Sequence, residues 1–279
     1  MNVLLRALAL VLVLLWLVPG FGFIDLLYSR NPEWAVMVEA GWGLFVSLGL
    51  ALPLAVGALR PSRAGAALKH LAVAVAALVV AVVVGREPQA WWMLLAAAVS
   101  AATLAGLARR VPAAPSVTAG PSPTLLILAA GAVPFALTYA WQMTAAGWDG
   151  PPADITNDVD HYVVQVALVL AAPALTVLAA TVSTTRRMAG TGAALMIGYS
   201  GLVSWAFPGT LAGWPAAISV AAMVWGLAVL VASWWPGVRP GRRGPAPRTS
   251  PGRSSTVVRR ARPSPRRPAD PRAPRPPAR

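Results

Sequence analysis

Eight apolar stretches are each long enough, or nearly long enough, to cross a membrane as a helix, which takes about 20 mainly apolar residues. They are 3–19, 34–59, 68–84, 90–107, 124–143, 162–181, 191–207 and 214–235. Their apolar residues run on without alternating, which favours helices over barrel strands. The first stretch lacks an Ala-x-Ala-like cleavage site and is predicted to be retained. The sequence therefore predicts an all-α, polytopic membrane helix bundle with about eight transmembrane helices.

Composition excludes several kinds of site. Charged residues make up 11% of the chain, against about 25% in soluble domains, and the mean hydropathy is +0.64. Because there is no cysteine, disulfides, zinc-thiolate sites, iron–sulfur clusters and thiol nucleophiles are excluded. The two histidines, His70 and His161, are predicted near opposite membrane faces and cannot share a haem; His70, beside Lys69, is predicted to be interfacial. The sequence indicates no cofactor.

The composition changes sharply after residue 235. Residues 236–279 contain 13 of the 22 arginines and 12 of the 27 prolines, and with Asp270 they carry a net charge of 13 − 1 = +12. Such a segment cannot bury enough apolar surface to fold alone. We therefore expect two regions: a transmembrane bundle (1–235) and a disordered, Arg/Pro-rich cytoplasmic tail (236–279).

The tail is predicted to contact anionic lipid headgroups, since basic residues beside a membrane attract them. The arginine pairs most suited to this lie along its length: Arg242, Arg243, Arg259, Arg260, Arg266 and Arg267. A cytoplasmic protein that reads Pro-rich segments is an alternative partner, and nucleic acid is disfavoured.

Loop charges predict the orientation. Basic residues follow the even-numbered stretches, and eight acidic residues fall in or near the other loops, which hold only Arg30 and Arg86 as basic residues. By the positive-inside rule, both termini are cytoplasmic, which places the protein in the plasma (cytoplasmic) membrane. The basic residues are Arg60, Arg63, Lys69, Arg109, Arg110, Arg186 and Arg187; the acidic ones are Asp25, Glu33, Glu39, Glu87, Asp149, Asp154, Asp158 and Asp160.

An internal four-plus-four repeat is also indicated. The second and sixth stretches both follow an acidic loop, carry a proline at mid-length (Pro53 and Pro173) and precede a basic loop. The segment 109–123 would connect the two halves. Such a parallel repeat is a known plan among transporters.

Glu39 is the most unusual residue within an apolar stretch. It lies about five residues into the second stretch, or ~7 Å below its outer end at the helical rise per residue. Ionisable groups inside a membrane are costly and suggest a function. Glu39 could line a polar substrate pathway with Tyr139, Gln142, Gln165, Tyr199 and Ser204; alternatively, it is hydrated in the headgroup zone or paired with Arg30.

The outer segment 149–161 concentrates four carboxylates and a histidine. Asp154, Asp158, Asp160 and His161 could ligate a divalent cation, although the spacing does not match an EF-hand loop. The alternative is a solvated acidic loop in which Asp158 caps the following helix.

The string Gly198-Tyr199-Ser200-Gly201 resembles the nucleophile motif of rhomboid intramembrane proteases. That family also needs a histidine on a later span to activate the serine. No histidine follows His161, so the resemblance does not carry catalysis to Ser200. Close helix packing is the alternative interpretation of the glycines.

Three functions remain open. The first is a transport- or channel-like protein for a small, cationic solute. The second is a non-catalytic membrane scaffold that recruits partners through its basic tail. The third is a metal-dependent lipid transferase or hydrolase at the membrane edge. No segment outside the membrane is large enough for a catalytic domain, so the sequence favours a protein that is not an enzyme.

Overall fold

In a computed structural model, which describes residues 2–23, 25, 35–112, 120–150 and 155–235, each apolar stretch forms a helix. The tail, 236–279, lies outside the described residues. The helices are α1 (Asn2–Leu17), α2 (Val36–Leu59), α3 (Ala64–Gly85), α4 (Trp91–Arg110), α5 (Pro123–Asp149), α6 (His161–Thr181), α7 (Arg186–Ala206) and α8 (Ala216–Trp234). Short 3-10 turns, Pro61–Arg63 and Pro88–Ala90, precede α3 and α4, and a two-stranded hairpin, β1 (Ile155–Thr156) and β2 (Val159–Asp160), precedes α6. The predicted all-α helix bundle is confirmed.

Six of these helices are long and apolar enough to cross a membrane: α2, α3, α4, α5, α6 and α8, with α3 and α4 counted from their 3-10 turns. Helix α1 has 16 residues and is therefore about 24 Å long. Helix α7 has 21 residues, but glycine, serine and threonine reduce its apolar character. Six such helices among the described residues fit a multi-pass membrane protein, and eight spans remain a prediction.

Helices α2 and α6 form the centre of the bundle. Over its most apolar 18 residues, α6 is 78% buried and α2 is 67% buried, against 28% for both α5 and α8. Helix α6 contacts α2, α3, α5 and α7, and α1 packs against α2 and α4. Any polar side chain on the facing surfaces of α2 and α6 is consequently enclosed by protein.

Helix α2 is not uniform. Its α-helical turns, Val36–Leu44 and Leu52–Leu59, are separated by a π-helical segment, Phe45–Ala51. Pro53 lies directly after this segment, whereas Pro173 lies inside the α-helix α6. The two prolines that suggested an internal repeat therefore have different local geometry, and the repeat remains a prediction. Residues 113–119 of the proposed connection lie outside the described residues.

Small residues bring α7 and α8 close together. A methyl group at Gly226 would lie 2.9 Å from Gly198 Cα, and one at Gly201 would lie 2.6 Å from the Ser219 carbonyl oxygen. Ser200, between these glycines, donates to the Met196 carbonyl of its own helix at 2.7 Å. The glycine and serine string thus takes part in close helix packing.

The loops that the sequence assigned to the outer side meet at one end of the bundle, called the acidic end below. Asn157 Nδ2 donates to the Pro19 carbonyl at 2.9 Å, and Trp92 Nε1 donates to the Asn157 carbonyl at 3.2 Å. Trp148 Nε1 donates to the Val84 carbonyl at 3.1 Å. These bonds join the hairpin before α6 to the end of α1 and the first turn of α4, and the last turn of α5 to the last turn of α3.

The opposite end, called the basic end below, carries the arginines of the other loops. Arg6 Nε donates to the Ala58 carbonyl at 2.9 Å, so that the start of α1 is tied to the last turn of α2. Arg186 Nη2 donates to the Gly120 carbonyl at 2.9 Å, which joins the start of α7 to the segment before α5. Charge therefore separates along the bundle axis, except that Arg86 lies at the acidic end, 4.7 Å from the centroid of the Trp148 ring.

Candidate cation site inside the bundle

Glu39 and His161 form a buried pair between the two central helices. Glu39 lies in the first turn of α2 and His161 is the first residue of α6. Glu39 is 4% exposed and His161 is 0% exposed, and 3.8 Å separates Glu39 Oε1 from His161 Nδ1. That separation is within ion-pair range but too long for a direct hydrogen bond. The bundle therefore encloses a carboxylate and an imidazole that can share a charge.

The hairpin before α6 positions His161. Asn157 and Asp158 both adopt left-handed backbone conformations, with φ of 51° and 65°, as a tight two-residue hairpin turn requires. Strand β1 then presents the Thr156 hydroxyl oxygen 2.7 Å from His161 Nε2. The hairpin therefore supplies a partner for the ring nitrogen that points away from Glu39.

The N-cap of α6 is Asp160 and not Asp158. Asp160 Oδ1 accepts a hydrogen bond from the Tyr162 backbone N–H at 2.9 Å, whereas Asp158 lies exposed at the turn. The interpretation of Asp158 as the cap was wrong because the chain makes a hairpin before α6 begins. A carboxylate at this position favours the positive end of the helix dipole.

Trp42 covers the pair from one side. Its ring stacks on the His161 ring with 4.6 Å between centroids and 26° between planes. Trp42 Nε1 donates to the Gly20 carbonyl at 2.9 Å, which fixes the indole. Because Trp42 is three residues from Glu39, both side chains lie on one face of α2. The indole leaves the imidazole little freedom to rotate away from the carboxylate.

Gln165 extends the polar cluster by one helical turn. It follows His161 by four residues and so shares its face of α6. Its Nε2 donates to the carbonyls of Val38 at 3.0 Å and Met37 at 3.3 Å. A side chain at Gly41 would overlap the Gln165 amide, so glycine is needed there for the glutamine to reach α2.

Ser204 completes the polar contacts of the first turns of α2. Its hydroxyl donates to Met37 Sδ at 3.3 Å, and both residues are buried. Three of the predicted pathway residues, Glu39, Gln165 and Ser204, thus converge on the same two turns of α2, together with His161.

The other three predicted pathway residues lie elsewhere. The Tyr139 hydroxyl donates to the Ala212 carbonyl at 2.8 Å, and Ala212 has a left-handed backbone with φ of 60°. Tyr139 therefore holds the turn before α8. Gln142 is exposed and Tyr199 is half-buried. The proposed pathway through all six residues remains a prediction.

The structure describes three of the four residues of the predicted metal site. Asp154 lies outside the described residues, and among the described ones no three histidine, aspartate or glutamate side chains come together as a metal site. Asp160 and His161 take part instead in the helix cap and the buried pair. The four-residue metal site remains a prediction.

A shallow pocket opens beside the pair at the acidic end. Its lining includes Glu87, Thr144 and Asp160. Partial burial raises the pKa of the Glu87 carboxyl, and the negative charge of Asp160 raises it further. This pocket places two carboxylates, Glu87 and Asp160, next to the start of α6.

His70 is the buried polar residue that sequence reasoning missed. It was expected at the interface beside Lys69, but its side chain is 0% exposed inside the bundle. Its Nε2 lies 3.0 Å from the carbonyl oxygen of Leu48, in the π-helical segment of α2. The expectation was wrong because consecutive residues of a helix point about 100° apart, so that Lys69 is exposed while His70 is buried.

The tail arginines, from Arg242 to Arg267, and Arg30 lie outside the described residues. Their predicted contacts with lipid, partner or Glu39 remain predictions.

The chain matches no protein-family model, no curated protein and no solved structure. Its function must therefore be inferred from the site itself.

Proposed function

We propose that this protein transports a small cation across the membrane, and that the Glu39–His161 pair is the site that binds it. The observation that carries the proposal is the burial of a carboxylate and an imidazole, 3.8 Å apart, between the two central helices. Ionisable groups enclosed by membrane helices mark ion pathways and proton relays more often than structural positions.

The proton is the cation that the pair fits best. With Glu39 ionised and His161 neutral, the pair carries one negative charge in a setting of low dielectric, where a buried charge is costly. Uptake of one proton makes the pair neutral overall. Imidazole changes its charge most readily near physiological pH, so the pair can gain and lose a proton without a second ligand.

The acidic end supports a route for cations to the pair. Glu87 and Asp160 line the shallow pocket, and Asp160 is the residue before His161. Negative charge in a concave site raises the local concentration of cations. We infer that cations approach the pair from this end.

The orientation follows from charge and from indole rings. We propose that the basic end faces the cytoplasm, with both termini on that side, in the plasma membrane. Exposed indoles lie at both ends: Trp91 and Trp205 at the acidic end, and Trp234 and Trp235 at the basic end. Indoles favour the membrane–water interface. The tail would then contact anionic headgroups of the cytoplasmic leaflet.

Charge displacement tests the proposed site. The full chain would be reconstituted in liposomes on a solid-supported membrane and subjected to pH jumps. We expect a transient current in the wild type that is strongly reduced in Glu39→Gln, because a proton on His161 would then no longer be balanced by a carboxylate. Asp149→Asn is the matched control, because this carboxylate is exposed at the end of α5, and it should keep the current. An unchanged current in Glu39→Gln, or none above that of empty liposomes in the wild type, would refute the proposal.

Thiol labelling tests the orientation, and the absence of cysteine makes it clean. A cysteine at the exposed Asp158 should react with an impermeant reagent from outside the cell, and one at Ser254 should not. Labelling of Ser254→Cys from outside would reverse the orientation.

A further inference from the structure

The π-helical segment of α2 lies between Glu39 and Pro53. Within it, the Leu52 N–H donates to the Ser47 carbonyl, five residues earlier. The next donor in this pattern would be the N–H of residue 53, and its acceptor would be the Leu48 carbonyl. Proline has no N–H, so the helix itself cannot supply that hydrogen bond. Pro53 thus removes the backbone donor for Leu48 at the point where the helix is widened.

His70 supplies the missing donor from the neighbouring helix. Its Nε2 is 3.0 Å from the Leu48 carbonyl oxygen. Because a carbonyl can only accept, Nε2 must carry the hydrogen. Nδ1 is buried and has no hydrogen-bond partner among the described residues. A doubly protonated ring would bury an unsatisfied N–H, which is costly. The geometry therefore fits a neutral imidazole that acts as a fixed donor.

The ring is held in place by α7. A methyl group at Gly192 would lie only 3.0 Å from His70 Cε1, so glycine gives the imidazole the room it occupies. On the same stretch of α2, a methyl group at Gly49 would lie 3.3 Å from Met196 Cε, also on α7. The π-helical segment is therefore packed against α7 on one side and bonded to α3 on another.

We propose that His70 is a positioning residue for the cation site, through the π-helical segment. A π turn accommodates one more residue than an α turn, and one residue corresponds to about 100° of helix rotation. The segment therefore sets the rotation of the turns that carry Glu39 relative to the turns after Pro53. By donating to Leu48, His70 stabilises the widened form and keeps Glu39 facing His161. The part that concerns the cation site rests on the proposed function.

Four full-length variants distinguish the hydrogen bond that His70 donates from the shape of its side chain and from its ability to ionise. His70→Gln places an amide donor near the position of Nε2 but cannot ionise. His70→Leu keeps a similar volume and has no donor. Pro53→Ala restores a backbone N–H after the π-helical segment, and His70→Leu/Pro53→Ala combines the two changes. Thermal unfolding midpoints would be measured for all four beside the wild type.

The rotation of α2 is read separately by cross-linking. Met37 and Ser204 touch in the structure, so cysteines at these two positions would be linked by a short bis-thiosulfonate reagent in the otherwise cysteine-free chain. The yield reports whether the Glu39 half of α2 still faces α7.

We expect His70→Leu to lower the unfolding midpoint by about 5 °C, as the loss of a buried carbonyl's partner does in a chain of this size. It should also reduce the cross-linking yield. His70→Gln should keep both values close to the wild type, and the loss from His70→Leu should largely disappear in the Pro53→Ala background. The proposal is wrong if His70→Gln lowers the unfolding midpoint and the cross-linking yield as much as His70→Leu does. It is also wrong if His70→Leu lowers the midpoint equally in the wild-type and the Pro53→Ala backgrounds.

The two proposals fail separately. A wild type without pH-driven charge displacement would refute the cation site, while the unfolding cycle and the cross-link would still decide whether His70 holds α2 in its widened form.

Discussion

The two histidines of this chain are both fully buried, but they face different partners. His161 lies beside a carboxylate and a hydroxyl that come from α2 and the hairpin. His70 lies beside a backbone carbonyl of the π-helical segment. A carboxylate can exchange a proton with an imidazole, whereas a carbonyl only accepts hydrogen bonds. The comparison shows that the partner, more than burial, decides whether a buried histidine can carry charge.

The largest difference between the two should appear when each imidazole is removed. His161→Leu leaves the buried Glu39 carboxylate without its imidazole and should cost about 3 kcal/mol or more of unfolding free energy. His70→Leu removes one neutral donor and should cost about 1–3 kcal/mol. Unfolding equilibria in detergent would measure both.

A second substitution sharpens that difference. Glu39→Gln should recover much of the loss in His161→Leu, because it removes the charge that the imidazole compensates. The same substitution should leave the loss in His70→Leu unchanged, since independent sites add. If Glu39→Gln relieves both variants equally, the two histidines belong to one network and the comparison fails.

The glycines beside each network offer a smaller test. Gly41→Ala would overlap the Gln165 amide and should cost about 1–3 kcal/mol. Gly192→Ala brings a methyl group to 3.0 Å from His70 Cε1 and should cost less, because the contact relaxes with a shift of a few tenths of an ångström. Gly131→Ala, with no neighbouring atom within 4 Å of the new methyl group, is the control and should stabilise α5 by about 0.5–1 kcal/mol. A loss in Gly192→Ala that exceeds the loss in Gly41→Ala would contradict this order.

The smallest expected effect concerns Glu87, outside the membrane-spanning helices. Partial burial, and then the negative charge of Asp160, raise the pKa of this carboxyl above its usual range. The folded protein therefore binds a proton more readily than the unfolded chain, and a penalty on the folded state at neutral pH disappears as the pH falls through the raised pKa. The unfolding midpoint of the wild type should rise relative to that of Glu87→Gln between pH 7 and pH 5. If the difference between the two midpoints stays constant over this pH range, the pKa of Glu87 is not raised.

The sequence predicted the helices well because long apolar runs identify them directly. The predicted stretch 34–59 corresponds to the helix Val36–Leu59, and the predicted stretch 162–181 corresponds to the helix His161–Thr181. Glu39, Gln165 and Ser204 were also visible as isolated polar residues in apolar runs. In the structure these three residues meet at the first two turns of α2, while the six-residue pathway remains a prediction.

The partners of these residues could not be predicted. Glu39 and His161 are 122 residues apart, and the acidic residues around His161 indicated a solvated loop or a metal site instead. The hairpin that turns His161 inward depends on the left-handed backbone of Asn157 and Asp158. The π-helical segment likewise depends on a donor from another helix, which no local pattern in α2 contains.

Nitrogen NMR of the imidazoles tests the central claim most directly. The chain has only two histidines, so protein labelled with ¹⁵N-histidine in lipid bilayers gives two imidazole signatures, which His70→Gln assigns. On acidification, His161 should change from a neutral ring to a cationic one in the wild type, with a shifted midpoint in Glu39→Gln. His70 should keep a single N–H, on Nε2, throughout. A His70 that becomes cationic while His161 stays neutral would contradict the account.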